Sequence, residues 1–333
     1  MSTGHAITPK RARRNDDPTA GSTSDRAPLA SGVDERRCCR DRLSSVPELP
    51  EVETIRRQLE GELIGRRIDD AWAFPHPKFD QAHDAVGGRF TALRRRGKYL
   101  IAGLSGVNDR RAAEPTAPDD EGGEPADVEL VVHLGMTGRL GVVEAAPPED
   151  AAHRRASWTL DDGRVLQFVD VRRFGRIAVV DAGDHESLAT LHRIGPEPFD
   201  DDFDPEALRR AVNASRRAVK TQLLAQRVVA GVGNIYADEA LWLAGVHPAS
   251  RRLTRAGAIR LRDAVRAVLQ AGIDHGGTTL RDYRDARGET GSNQHQLACY
   301  GRSGSPCGRC GTTLRRTVID ARTTTFCPVC QRR

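Results

Sequence analysis

The chain has 333 residues, a formal net charge of +5 and a pI near 9.0, with 38% hydrophobic and 29% charged residues. That length supports two or three domains with cores of their own, and a basic balance suits a polyanionic partner. No apolar run reaches transmembrane length and no signal-peptide pattern is present, which excludes a membrane-spanning or secreted class and predicts a cytoplasmic protein.

Residues 1–46 carry nine Lys/Arg and six Asp/Glu, with no hydrophobic period. They read as disordered. Their acid content argues against a transit peptide, and Cys38 and Cys39 have no evident partner. Next comes Pro47-Glu48-Leu49-Pro50-Glu51-Val52-Glu53, heading an amphipathic pattern with Val52, Ile55, Leu59 and Leu63 on one face. Pro50 suits a first helical turn, where a missing N–H costs nothing. The spacing predicts an opening helix over 47–65.

Short strands follow over 66–104. They include 67–74, a strand from Arg89-Phe90, and the basic-then-apolar run Arg94-Arg95-Arg96-Gly97-Lys98-Tyr99-Leu100-Ile101. On its own, that run reads as a solvated basic turn ahead of a strand. Residues 105–127 hold seven acids, two bases and several Pro and Gly, the composition of a disordered acidic loop. A strand resumes at Val128, and His133-Leu134-Gly135-Met136-Thr137-Gly138 follows it. Residues 158–160, 165–169 and 177–180 read as further strands of a β-sandwich. Asp170-Val171-Arg172-Arg173-Phe174-Gly175 lies between two of them. An Arg and an aromatic on a loop tip suit minor-groove insertion, and equally a hairpin tip whose Phe packs inward.

Residues 184–204 read as a linker. Helical periodicity then predicts helices at 205–214, 217–226, 235–244 and 255–272. Between the second and third stands Gly231-Val232-Gly233-Asn234. Its glycines permit a tight turn, Asn234 suits an N-cap, and the N–H groups of the next helix start can grip a phosphate. At the end, Cys307-Gly308-Arg309-Cys310 and Cys327-Pro328-Val329-Cys330 are sixteen residues apart. Four thiolates in two knuckles make one closed tetrahedral site, predicting a single structural Zn2+ on Cys307, Cys310, Cys327 and Cys330. Cys299 lies outside that pattern. Residues 315–326 read as a β-hairpin, and 300–333 carry seven Lys/Arg and one acid.

Taken in order, PELPEVET, RRGKYL, HLGMTG, DVRRFG and GVGNIYADEAL resemble the motifs of the formamidopyrimidine-DNA glycosylase family, bacterial enzymes that remove oxidised purines from DNA. The resemblance spans 47–333. It implies an α+β fold: an opening helix and β-sandwich over 47–183, a helix–two-turns–helix domain over 205–295 and a zinc-finger β-hairpin over 296–333. By resemblance, the Pro47 amine attacks C1′, Glu48 is the acid/base, and Lys98 and Arg322 assist as proton donors. Met136 fills the gap left by the flipped base, while Arg172 and Phe174 reach the opposite base. His153, Arg216, Lys220 and Asn234 contact DNA, with Arg216 standing in for a family lysine that falls on Ser215. A lesion-sensing loop is implied over 284–298. The read partner is double-stranded DNA carrying oxidised purines, engaged by a nucleoid-associated monomer that needs no redox cofactor.

One conflict follows from covalent chemistry. An internal proline nitrogen is a tertiary amide without nucleophilicity, whereas a free α-amine titrates near ~8. The sequence therefore predicts a start at Val46, since GTG, one of the valine codons, can serve as a bacterial initiator, with residues 1–46 either a misassigned start or a disordered extension. Two other readings stand beside the oxidised-purine glycosylase/lyase: a sister enzyme specific for oxidised pyrimidines, and a non-catalytic damaged-DNA-binding protein with Pro47 blocked.

Overall fold

The computed structural model describes residues 46–107, 127–145 and 151–333. Nearly all of the 1–46 segment, Cys38 and Cys39 with it, and most of the acidic 105–127 loop lie outside the described residues. Helix α1 (Leu49–Leu63) opens the fold. Its first turn is entered from Glu48 in an extended conformation, with Pro50 inside that turn. It is the element that ties two cores together. Val52, Ile55, Leu59 and Leu63 enter one core, whereas Leu49 enters the other. Each such aliphatic side chain taken from water contributes roughly 1.5–3 kcal/mol.

The first core lies between two four-stranded antiparallel sheets. One orders β1 (Ile68–Ala73), β6 (Arg154–Leu160), β7 (Val165–Asp170) and β5 (Gly138–Val143). The other orders β2 (Arg89–Arg96), β3 (Tyr99–Ser105), β4 (Val128–His133) and β8 (Arg176–Asp181). Trp158, Phe168, Phe90 and Phe79 fill the space between them, and the Trp158 indole N–H donates to the Ala82 carbonyl at 2.9 Å. β3 is buried along its whole length. Leu100, Ala102 and Leu104 face the sandwich, while Tyr99 and Ile101 face a smaller cluster with Leu188 of the preceding turn and Leu191 of α2 (Ala189–His192). This accounts for its unbroken apolar reading. β5 was not legible as a strand, because Gly138 and Gly141 interrupt it. A Cβ at Gly138 would meet the Leu134 backbone, and one at Gly141 the Ala286 carbonyl.

The second core is helical: α3 (Pro205–Asn213), α4 (Val219–Leu224), α5 (Asn234–Ala244) and α6 (Arg255–Asp274). Capping side chains set two starts. Asp204 accepts the Ala207 N–H at 2.8 Å, and Thr254 accepts the Gly257 N–H at 3.0 Å. α4 is shorter than the periodicity predicts. Its N-cap Ala218 is extended at ψ 145, and Gln226 turns left-handed at φ 56 just after it. The hairpin β9 (Arg315–Ile319) and β10 (Arg322–Phe326) closes the chain. Among the described residues, no helix is long and apolar enough to cross a membrane.

Candidate active site

The site forms where the N-terminus of α5 meets the entry to α1. Glu48 is 2% exposed. Its carboxylate accepts the N–H of Gly233 and, at 2.9 Å, that of Ile235. The free N–H groups that the sequence reading assigned to a phosphate are therefore taken by Glu48, at the positive end of the helix dipole. That approach dictates the second glycine of GVGN, since a Cβ at Gly233 would collide with the Glu48 carboxyl and the Lys98 ammonium. The first, Gly231, turns at φ +79, and its carbonyl accepts the Leu49 N–H at 3.1 Å. Asn234 is not the N-cap. Gly233 occupies that position, and Asn234 is the first helical residue, its amide donating to the Thr323 carbonyl at 3.3 Å.

Three charges converge on this point. Lys98 lies at the β2–β3 turn beyond Gly97, which turns at φ +56, and is 8% exposed. Burial pushes its pKa down, opposed by Glu48 and Glu51 and aided by Arg322. For Glu48, burial pushes the pKa up, while Lys98 and the α5 N–H groups pull it back. Glu51 is raised to about 7 by burial and by Glu48. Its carboxylate accepts the Glu48 N–H at 2.8 Å, the Tyr236 hydroxyl at 2.9 Å and the Thr278 N–H at 2.6 Å. His133, tilted against the Tyr99 ring with centroids 4.7 Å apart, is held near 4 by burial and by Lys98, and so is neutral at physiological pH. The arrangement can hold and deliver a proton near neutrality beside Pro47, itself buried.

Glu51 is given no role by the sequence reading. The overlooked signal is its place three residues after Glu48, where a carboxylate reaches back to the N-cap N–H. Asp170, fully buried, was likewise unassigned. It accepts the Thr137 hydroxyl, the Arg172 N–H at 3.2 Å and the Gly175 N–H at 2.7 Å. It thereby fastens the loop bearing Met136 to the loop bearing Arg172 and Phe174. An Asp leading a turn and bonding the N–H two residues on is the local signal. Gly135, at φ +66, lets the two loop backbones touch. Phe174 is 49% exposed and carries the Arg172 guanidinium 4.8 Å from its ring centroid, so it does not pack inward. Met136 is half-buried at the neighbouring tip.

The remaining predicted residues separate. His153 is exposed, with φ 70, just ahead of β6. Arg216 is exposed before α4. Arg322 follows a hairpin turn in which Asp320 (φ 45) and Ala321 (φ 59) are both left-handed, and it is exposed within electrostatic reach of Lys98. Lys220 requires correction as a DNA contact. It is 0% exposed, and its ammonium donates to Asp238 at 2.6 Å, the Thr323 carbonyl at 3.0 Å and Thr324 Oγ1 at 2.9 Å. It fastens the hairpin to α5. The 284–298 segment is fastened to α1 through Gln58, which donates to Asp285 at 2.7 Å and accepts the Ala286 N–H at 2.9 Å.

At the foot of the hairpin, the ligand atoms of Cys307, Cys310, Cys327 and Cys330 lie within 4.8 Å of one another. Sulfurs at Zn–S bonds of ~2.3 Å in a tetrahedron fit that span, so the four hold one structural zinc. The Trp242 indole N–H donates to Cys307 Sγ at 3.3 Å. Cys299 is buried elsewhere, against the Thr325 carbonyl.

Comparison with known proteins agrees along the chain. The formamidopyrimidine-DNA glycosylase N-terminal domain matches residues 46–177, the H2TH domain of the same enzyme 194–284, and the zinc finger found in FPG and IleRS 304–333. The formamidopyrimidine-DNA glycosylase of Deinococcus radiodurans is 45% identical over 294 residues, covering 86% of this chain and 97% of that one. That of Herpetosiphon aurantiacus is 42% identical, covering 86% and 100%. Among solved structures, the MutM (Fpg) protein of Thermus thermophilus superposes with a TM-score of 0.74 at 40% identity, covering 86% and 98%. Lactococcus lactis Fpg in complex with DNA containing an abasic site superposes at 0.73 with 33% identity, covering 86% and 100%. From its first helix to its zinc knuckles, the chain belongs to the formamidopyrimidine-DNA glycosylase family.

Proposed function

We propose that this chain is a base-excision repair glycosylase and AP lyase that removes 8-oxoguanine and ring-opened purines from double-stranded DNA. One observation carries the reading: Glu48, next to Pro47, is buried at the N-terminus of α5 beside Lys98. Phe174 and Arg172 on one loop and Met136 on the next enter the duplex where the damaged nucleotide leaves the stack. Flipping costs a few kcal/mol, which backbone contacts from His153, Arg216 and the Arg322 hairpin offset.

The Pro47 nitrogen then forms a bond to C1′ as the bond to the base breaks, and Glu48 supplies the acid assistance. The C1′–O4′ bond then opens, the proton released by the Pro47 nitrogen passing to O4′, and the resulting iminium acidifies the C2′ proton; its loss expels the 3′ phosphate, and a second elimination expels the 5′ phosphate. Lys98 and Arg322 supply protons in these steps. The amine must be free, so the active chain begins at Pro47. The N-terminal domain match starting at residue 46 supports this, as does the near-complete coverage of relatives by 86% of the chain. The test is intact-mass spectrometry of the protein from its own host, joined to borohydride trapping on an 8-oxoguanine duplex. The expected result is a mass starting at Pro47 and a trapped adduct. A chain starting at Pro47 that yields no adduct would sink the proposal.

A further inference from the structure

Several arginines of the body meet a carboxylate. Arg95 bridges Glu53 and Glu197, and Arg56, Arg164 and Arg209 each meet a carboxylate. Elsewhere, among the described residues, arginines gather around one depression without such a partner. A cavity of about 1010 Å3 lies between the segment ahead of α4, the α5–α6 loop, the outer face of β9 and the C-terminal residue. Five arginines line it: Arg216, Arg217, Arg251, Arg252 and Arg333. All five are exposed, and among the described residues none has an ion-pair partner. The one acid in the wall, Asp320, is bonded to the Thr221 hydroxyl. Val318, 62% exposed, lies on its floor. Five like charges around one depression repel one another and outnumber its one acidic side chain, Asp320.

We propose that this trough is a second track for the DNA backbone, engaging phosphates of the undamaged duplex arm beyond the lesion. The inference rests on the repair reading above and extends it from the lesion to its flank. Continuity favours DNA over an acidic protein. The wall turns at Asp320 directly into Ala321 and Arg322, the hairpin end beside the site, and Arg216 borders it on the other side. Guanidinium groups drawn from separate segments suit successive phosphates, which carry no sequence information and supply affinity by counterion release.

The experiment uses the chain beginning at Pro47 and the variant Arg251→Gln/Arg252→Gln/Arg333→Gln. Circular dichroism and zinc content verify the fold. Affinity is measured by fluorescence anisotropy over a potassium chloride series, on duplexes bearing a central tetrahydrofuran site. The two lengths are roughly 12 and 32 base pairs, about one and three helical turns. The expected result is a shallower salt dependence for the variant on the long duplex, by about 0.9 per lost contact, with the short duplex unaffected. Equal slopes for parent and variant on the long duplex would overturn the trough. Borohydride trapping of the parent on a short 8-oxoguanine duplex reports separately on the repair reading. An adduct with no length dependence removes the trough alone, and a length-dependent slope without an adduct removes the activity alone.

Discussion

Lys98 and Lys220 are both buried lysines beside buried acids, and the fold treats them in opposite ways. Lys220 is saturated: one carboxylate at 2.6 Å, one carbonyl and one hydroxyl use all three of its protons. Lys98 faces Glu48 and Glu51 electrostatically, with Arg322 on the same side, but among the described residues no hydrogen-bond acceptor lies within reach of its ammonium. A saturated ion pair fixes two elements to each other. An under-bonded lysine with a depressed pKa keeps a proton it can give away. Burial is common to both, so burial alone does not mark a reactive group.

The largest effect that would break this contrast is on rate. On the proposed assignment, Lys98→Met lowers the elimination rate by about 100- to 10,000-fold, the usual scale for loss of a general acid, while the melting temperature is kept or raised. Single-turnover strand cleavage beside a thermal melt checks both halves. An active Lys98→Met, or one that fails to fold, ends the contrast from that side.

Lys220→Met attacks the other side. It strands Asp238 in the interior and costs roughly 3–5 kcal/mol. Adding Asp238→Asn restores part of that loss. Urea unfolding of the single and double variants measures it, and a single variant as stable as the parent would show that the pair does not hold the hairpin.

A smaller effect sharpens the Lys98 side. Glu51 has its folded pKa raised to about 7 from 4.5. Between those values the folded chain keeps a proton that the unfolded chain has released. The contribution is thus fully present below about pH 4.5 and is lost as pH rises through 7, with a ceiling of about 3 kcal/mol. The stability advantage of the parent over Glu51→Gln should shrink across that window in thermal melts. A pH-independent difference would mean that Glu51 stays ionised throughout.

What the sequence made legible follows from the range over which each signal acts. Helices α1, α3, α5 and α6 were readable because capping and periodicity are local. The zinc cysteines were readable because two CxxC knuckles fix their own geometry. Glu48 stood out through its motif, but its partner did not: the N–H groups of Gly233 and Ile235 lie 185 and 187 residues away. Lys220 was assigned to DNA by resemblance, and its burial follows only once Asp238 and the hairpin are placed around it. The arginine trough gathers residues from separate segments, and no window of sequence contains it.

The grip of α5 on Glu48 also sets the order in which the molecule becomes dangerous to DNA. On the proposed start, a chain leaving the ribosome presents Pro47 and Glu48 long before residues 233–235 exist. Until α5 docks, the carboxylate is a solvated surface acid with no neighbour to hold it in place. On the proposed roles, the fold arms its acid last, and a half-made or half-unfolded chain carries the amine without the means to cut.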